Sequence, residues 1–425
     1  VRILGLHYFA PPVAVVSSRR LSGIYRELAI RADSIDIITS NNHRHRNLEE
    51  AYSHEFPLHF VEGEGLREKL FGTREASVNS QQKASRGFRL LNRWRQSFPV
   101  LLLTDEGGPA YYRNAVRKAS RIIESRGITH LFSSYRPWVD HRIARALKKR
   151  YPHLIWIADF RDLPVDRVRR DVALPTLQKW WVKRIIQRAD EVWLVSEGQR
   201  KQFGTLHPNP RVVYNGLFSL PKPSEPEPGK TFTIGYTGSL YPGLQSVEML
   251  GGALEQLVSN FEEGTNTPEI SLQYIGKEGA VLKDWVGGDF GFLYKCKYTY
   301  LCIYKYMNLQ KTHHLQSTHT LNLLLTWSAP NYHGVLTAKL FDYLAAGRPI
   351  MAIVNGPDDP ELRRIIEGSG AGRVFCRGQE HELADWLQEL YFSWRENGNR
   401  LPWRTEAKHL ASLAMAEQLK DLPSR

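Results

Sequence analysis

Along almost the whole chain, short apolar runs alternate with segments whose apolar positions recur at helical spacing. Runs too short for a buried helix read as strands, and the periodic segments read as amphipathic helices. The pattern predicts strands over 1–6, 35–39, 128–133, 154–160 and 191–196, separated by helices that include 113–125, 142–150 and 177–188. A second series predicts strands over 231–236, 270–275, 321–327 and 349–354, with helices over 245–258, 337–346 and 359–367. Gly127 and Pro152 stand where the helices before them must stop. Strands that alternate with helices build parallel sheets from βαβ units. The expected fold class is therefore α/β, with two Rossmann-like, doubly wound domains.

Residues 220–229 (LPKPSEPEPG) hold four prolines, the composition of a semi-rigid linker. This places an N-terminal domain at 1–220, a linker at 221–229 and a C-terminal domain at 230–401. Ligands of open parallel sheets bind at the carboxyl ends of the strands, so two such domains predict a cleft where those ends face each other. The stretch 402–425, with apolar Leu410, Leu413, Ala414 and Leu419, reads as a helix that packs back on the first domain. Two stretches break the pattern. Residues 60–100 are polar and read as a mobile loop or short helices. Residues 290–327 contain no acid, and from Tyr294 to Tyr306 aromatic and cysteine residues alternate with period two, which predicts an unusual strand.

Composition narrows this further. With 425 residues, 42% hydrophobic and 24% charged, the chain is an ordinary globular one of two or three domains, not a collagen-like or disordered one. No run approaches the ~20 apolar residues of a membrane span. The chain opens directly into a strand with no basic leader, and its three cysteines form no C-x-x-C pair, so a cytoplasmic protein without a disulfide framework is expected. Charge is divided unevenly. Residues 1–220 carry 37 Lys and Arg against 21 Asp and Glu, or +16, while the remainder carries 20 against 23, or −3. A basic half suits nucleic acid, anionic lipid headgroups or phosphorylated substrates, and equally a solubilising surface.

The sharpest chemical pattern lies at 333–350. A glycine-containing loop enters a helix at Thr337, a good N-cap residue, and a helix N-terminus of this kind binds phosphate. Lys339 and Asp342 fall three apart on one helical face, where a cation meets a diphosphate and a carboxylate accepts from a ribose diol. The same spacing also suits a plain surface ion pair. Gly238 and Ser239, just after a strand, offer close backbone approach and a hydroxyl donor for phosphate, or merely a turn. In the first half, Arg19 and Arg20 follow the first strand at its carboxyl edge and are candidates for phosphate, or face water. Asp159, Arg161 and Asp162 end another strand at the same edge. There they form an internal ion-pair network or touch a polar ligand, with His141 as a plausible partner. His313, His314 and His319 have no carboxylate or thiol placed beside them, so no metal site is expected. G-x-G-x-x-G, Walker, H-E-x-x-H and G-x-S-x-G motifs are absent.

Taken in order, these motifs resemble the bacterial family 4 type glycosyltransferases. The opening strand leads into a Pro-Pro loop and Arg20. Residues 156–162 (WIADFRD), 188–197 (RADEVWLVSE), 213–216 (VYNG), 235–240 (GYTGSL) and 339–349 (KLFDYLAAGRP) follow in the family's sequence. The resemblance implies the GT-B fold, two Rossmann-like domains facing across a cleft. It implies transfer of a sugar from a nucleotide-diphosphate donor, with retention of configuration and no obligatory metal or cofactor, in surface polysaccharide or glycolipid synthesis. By position, Gly238, Ser239, Thr337 and Lys339 would hold the donor diphosphate, and Asp342 its ribose, where the family usually has Glu. Arg19 and Arg20 would meet acceptor or phosphate, and His141, Arg161 and Asp162 would serve catalysis. A glycan or lipid-linked acceptor at an anionic leaflet would account for the basic half and for peripheral association with the inner face of the plasma membrane, without nucleic acid as a partner. Residues 290–320 match nothing in the family and resemble a shifted reading frame. Three other readings stay open: a nucleotide-sugar epimerase on the same fold, a degenerate transferase, and a non-catalytic nucleic-acid binder.

Overall fold

The computed structural model describes residues 1–11, 13, 16–41, 56–63, 86–217, 220–221, 228–259, 270–287, 299–304 and 307–421. The chain divides into two units, Val1–Gly216 with Met415–Arg425, and Leu217–Ala414. Most of the expected linker at 221–229 lies outside the described residues, as do 64–85 of the polar stretch.

The first unit runs β1 (Arg2–Leu6), α1 (Val16–Ala29), β2 (Ser34–Ser40), β3 (Leu58–Val61), α2 (Arg86–Arg95), α3 (Leu101–Thr104), α4 (Gly108–Arg126), β4 (His130–Tyr135), α5 (Trp138–Arg150), β5 (Ile155–Phe160), α6 (Pro175–Ile186), β6 (Glu191–Leu194), α7 (Glu197–Phe203) and β7 (Pro210–Val212). Its strands form one parallel sheet in the order β3-β2-β1-β4-β5-β6-β7. Strand order reverses between β1 and β4, the point at which a doubly wound sheet opens a crevice. α4 ends where expected, at Gly127, whose φ of 61° would strain any residue with a Cβ.

The second unit runs β8 (Phe232–Thr237), α8 (Glu248–Ser259), β9 (Ile270–Ile275), α9 (Gly279–Gly287), β10 (Thr299–Tyr304), α10 (Leu309–Thr318), β11 (Leu321–Trp327), α11 (Ala338–Ala346), β12 (Ile350–Asn355), α12 (Pro360–Ile366), β13 (Gly372–Cys376) and α13 (Glu380–Glu396). Its parallel sheet has the order β10-β9-β8-β11-β12-β13, with the switch between β8 and β11. The core is built from the inward faces of these strands and from α8 and α13, with Phe232, Leu254, Leu272, Leu321 and Leu387 fully enclosed.

Of the stretch at 290–320 that resembled a shifted frame, residues 299–304 form β10 of this sheet. β10 pairs in register with β9, Thr299 opposite Ile270 through Tyr304 opposite Ile275, so the period-two pattern is that of an edge strand. The alternating residues 294–298 and 305–306 lie outside the described residues. α10 follows, capped by the Asn308 side chain, which accepts from the Lys311 amide.

The C-terminal stretch differs from expectation. It is not one helix but α14 (Ala407–Leu410), a 3-10 turn (Ala411–Leu413) and α15 (Met415–Gln418), interrupted at extended Ala414. The break lets Leu410, Leu413, Met415 and Leu419 all be buried, which one continuous helical face does not require of them. α15 is tied to the first unit. The Arg31 guanidinium donates to the Leu419 carbonyl, and the Tyr214 amide to the Gln418 side chain at 2.6 Å.

Candidate functional site

At the switch point of the second sheet, β8 ends at Thr237 and the chain turns at Gly238 with φ +94°. Only glycine takes this conformation without strain. The turn is fixed from behind, since the Gly238 amide donates to the Ile275 carbonyl at 2.8 Å and the Tyr274 hydroxyl donates to the Gly238 carbonyl at 3.1 Å. The loop leaving β11 is held by Asp359. One oxygen of that carboxylate accepts from the Gly334 amide at 2.7 Å, and the other caps α12 through the Leu362 amide at 3.1 Å. The loop thus delivers the start of α11 beside the Gly238 turn.

Thr337 occupies the N-cap position of α11 with extended backbone, but its side chain makes no cap hydrogen bond, contrary to expectation. Its hydroxyl is buried and has no hydrogen-bond partner among the described residues. The first amides of a helix have no partner within it.

Lys339, on the first turn, reaches back over the Gly238 turn. Its ammonium donates to the Tyr236 hydroxyl and to the Ser239 carbonyl (2.7 Å), and lies 4.2 Å from the centroid of the Tyr236 ring. Burial pushes this ammonium down to about 7, opposed by the Glu278 carboxylate. Glu278 is itself buried and accepts from the Tyr274 hydroxyl at 2.9 Å. A cation held this way is poised but incompletely solvated, and an anionic ligand that reached it would favour its charged form. Asp342, one turn further along α11, is buried at 9% exposure and accepts from His313 Nε2 of α10 at 3.2 Å. The structure therefore gathers Gly238, Ser239 and Lys339 at one turn, with Thr337 and Asp342 on the same helix.

The glycine at the turn is testable. A Cβ at 238 would sit 2.7 Å from the Lys339 side chain at a φ that L residues rarely adopt. Gly238→Ala is expected to displace Lys339 and weaken UDP or GDP binding about tenfold by titration calorimetry, at a stability cost of about 1–3 kcal/mol. Unchanged affinity would remove this turn from the site.

In the first unit the candidates separate. Arg20 is buried, and its guanidinium is paired with buried Asp159 (2.7 Å) and donates to the Tyr214 carbonyl (2.7 Å). Ser134 donates to the other oxygen of Asp159 at 2.7 Å and accepts from Arg161 Nε at 3.3 Å. Of the two readings of this strand end, Asp159 takes the internal network. Asp162 lies outside it, partly exposed and 3.3 Å from the Arg169 guanidinium. Arg19 is half-buried on α1.

His141 does not meet Asp162 through any hydrogen bond. It is enclosed in the core, with Nδ1 2.8 Å from the Ser133 hydroxyl, which also accepts from Trp156 Nε1 at 2.9 Å, and its ring centroid is 4.7 Å from that of Phe160. Burial pushes its pKa down to about 3 against the opposing charge of Asp159, so the ring is neutral near pH 7.

Beside that end lies a cavity of about 210 Å³, lined among others by Gln96, Asp105, Glu106, Tyr135, Arg136 and Trp138. Arg136 donates to Gln96 at 3.1 Å and to Asp171, while its carbonyl accepts from Arg161. The cavity, Tyr236 and Glu278 have no role in the sequence reading, and His313, expected there to lack a neighbouring carboxylate, lies beside Asp342. Tyr236 was inside the glycine-serine motif, but the others carry no local signature, since they converge from separate crossovers.

No family model matches the chain, and no curated protein does. Solved structures do. Sucrose-phosphate synthase from Thermosynechococcus elongatus is similar with TM-score 0.58 and 12% identity, covering 99% of this chain and 98% of that one. The lipopolysaccharide outer core galactosyltransferase WaaB gives TM-score 0.56 and 12% identity over 99% and 97%. A protein of Listeria monocytogenes described as a UDP-N-acetylglucosamine 2-epimerase gives 0.50 and 8% over 99% and 94%. The two-sheet architecture is thus that of GT-B glycosyltransferases.

Proposed function

We propose that the protein is a glycosyltransferase that moves a sugar from a nucleotide-diphosphate donor to a glycan or lipid-linked acceptor, with retention of anomeric configuration. The observation that carries this reading is the Lys339 ammonium held over the Gly238–Ser239 turn at the strand-order switch of the second sheet. An amide-lined helix start beside a buried cation suits a diphosphate, and buried Asp342 suits the diol of its ribose. In the reaction, the bond between the anomeric carbon and the diphosphate breaks and one from that carbon to an acceptor oxygen forms. The electron pair of the broken bond stays on the leaving diphosphate oxygen, and the proton of the acceptor hydroxyl passes to that oxygen. Lys339 and the positive end of α11 would offset that charge. The cavity at the end of β4, with acids, amide and guanidinium over aromatic edges, would take the acceptor, and the fold shared with a lipopolysaccharide galactosyltransferase is consistent with a surface glycan.

A thermal-shift panel of UDP, GDP, ADP and their sugar conjugates tests it. One of them is expected to stabilise the protein by ~2.7 kcal/mol at a hundredfold excess over its Kd. Failure of every nucleotide to stabilise it would discard the reading. A second reading, an epimerase, is favoured by the Listeria likeness alone. It predicts that the sugar stays on the nucleotide and changes configuration there, which product analysis separates from transfer.

A further inference from the structure

Helix α10 is fastened to the strand and the helix that carry the candidate donor residues. Its one enclosed side chain, Gln316, is 1% exposed. The Gln316 side-chain amide donates to the Thr237 hydroxyl at 2.8 Å, and the Thr237 amide donates to the Tyr343 hydroxyl of α11 at 2.9 Å. Thr237 is the last residue of β8, immediately before the Gly238 turn. The far end of α10 is pinned as well. The Asn322 side chain of β11 donates to the Gln316 carbonyl at 3.0 Å, and Arg348 Nε donates to the Ser317 carbonyl at 2.7 Å. Packing there is close, since a Cβ at Gly235 of β8 would fall 1.9 Å from the His319 ring. A helix held in this way can neither roll nor slide without breaking buried contacts.

His313 stands three residues before Gln316, so the two share a helical face. That face meets α11. His313 Nε2 lies 3.2 Å from Asp342 Oδ1, with the imidazole 42% and the carboxylate 10% exposed. An ionised carboxylate only accepts, so Nε2 carries the proton in this contact. The two oxygens of a carboxylate offer about four lone-pair positions, and a bond from His313 leaves room for both hydroxyls of a diol. The bond also selects one orientation of Asp342 before any ligand arrives, and a group ordered in advance costs less to bind.

Asp342 stands where the family that the motifs resemble usually has Glu, which is one methylene longer. A shorter carboxylate depends more on being aimed. α10 falls in the stretch 290–320, which follows no pattern of that family, so the residue that aims Asp342 is a feature of this chain.

We infer that His313 is a positioning residue for ribose: held in place by α10, it aims the Asp342 carboxylate at the 2′ and 3′ hydroxyls of a nucleoside diphosphate. This rests on the proposed donor site, and the test is chosen so that the two fail separately. The full chain is titrated calorimetrically with UDP, GDP and ADP and with the 2′,3′-dideoxy form of each. A diphosphate that binds the wild type is expected to bind about thirtyfold more tightly than its dideoxy form, the effect of two hydrogen bonds to a charged acceptor. His313→Ala is expected to weaken the ribonucleotide about fivefold and to leave the dideoxy form within about twofold, so that discrimination falls. A purely structural role weakens both forms alike. His313→Gln, whose amide can donate from nearly the same place, is expected to restore most of the discrimination. Asp342→Ala is expected to abolish it, and His313→Ala added to Asp342→Ala to change it no further, because the imidazole acts through the carboxylate. His313 is half-exposed on a helix, where alanine is the better helix former, so His313→Ala should melt as the wild type does. Equal losses for the two forms in His313→Ala, undiminished discrimination in that variant, or no recovery in His313→Gln overturns the inference and leaves the nucleotide site standing. Failure of all three diphosphates to bind the wild type overturns the donor site itself, and this inference with it.

Discussion

Lys339→Ala is expected to weaken nucleoside diphosphate binding by about 2 kcal/mol, or about thirtyfold in Kd, while leaving the ligand-free protein as stable as the wild type or more so. The two halves of this result have different causes. A diphosphate loses a charge-assisted partner, whereas the ligand-free protein loses a cation that burial disfavours. The pH dependence follows from the same shift. In the folded, ligand-free protein the Lys339 ammonium is pushed down to about 7, while an unfolded lysine keeps its proton to ~10.4. Between those values the unfolded chain binds more protons, so ligand-free stability rises with pH across the window and the gain is lost as pH falls to 7.

Nucleotide affinity runs the other way. It falls by up to about tenfold per pH unit above 7, because the neutral amine must first take up a proton. The neighbouring phenols do not confuse the window. Burial raises Tyr236 and Tyr274, and it pushes Tyr343 up to about 12. Glu278 is the acid that faces the amine. Calorimetry in buffers of different ionisation enthalpy reads the proton uptake directly. Binding without uptake above pH 7, or an unchanged Kd in Lys339→Ala, would separate Lys339 from the ligand.

Arg20→Ala is expected to cost about 3–5 kcal/mol and to lower the melting temperature of the first unit by roughly 10 °C. The loss comes from Asp159, fully enclosed, which would keep Ser134 but lose its counter-ion. Burial raises the Asp159 carboxyl, but the Arg20 charge and hydrogen bonds outweigh it and hold the group below the usual carboxylate range. A depressed carboxylate contributes stability above its unfolded value near ~3.9, and the contribution fades only as pH falls through the folded value. Wild type and variant should therefore converge in acid. The double variant Arg20→Met/Asp159→Leu is expected to recover most of the loss, because it removes the buried charge rather than stranding it. Urea unfolding of the three proteins decides this, and an Arg20→Ala midpoint within error of wild type would refute the network.

Periodicity and punctuation mark most strands of the two sheets and six of the helices, but not α1, β3, β13 or α13. β9 and β11 lie where the apolar runs at 270–275 and 321–327 are, and α4 stops at Gly127 because a single residue type tolerates the backbone there. The terminal stretch was misjudged because apolar spacing does not register a break such as extended Ala414, which tertiary burial imposes. Local signals could also mark residues 235–240 and 339–349 as a candidate site, since a strand, a glycine turn and a helix start each leave a pattern a few residues long.

What each marked side chain does was decided elsewhere. Arg19 and Arg20 are adjacent in sequence, yet Arg20 is committed to Asp159, 139 positions away, and only the parallel order β1-β4-β5 brings them together. His141, a candidate partner for the strand-end acids, is enclosed against Phe160 and Ser133 and feels the charge of Asp159 without a hydrogen bond to it. His313 comes to Asp342 from a helix with no sequence signature at all. The chain by itself determined most strands of its two parallel sheets and marked a stretch as a candidate for holding a phosphorylated ligand, because these rest on hydrophobic period and backbone freedom, which are local. Only the tertiary structure decided which charges are neutralised inside and which remain within reach of a ligand, because that depends on burial and on partners joined across crossovers far longer than any motif.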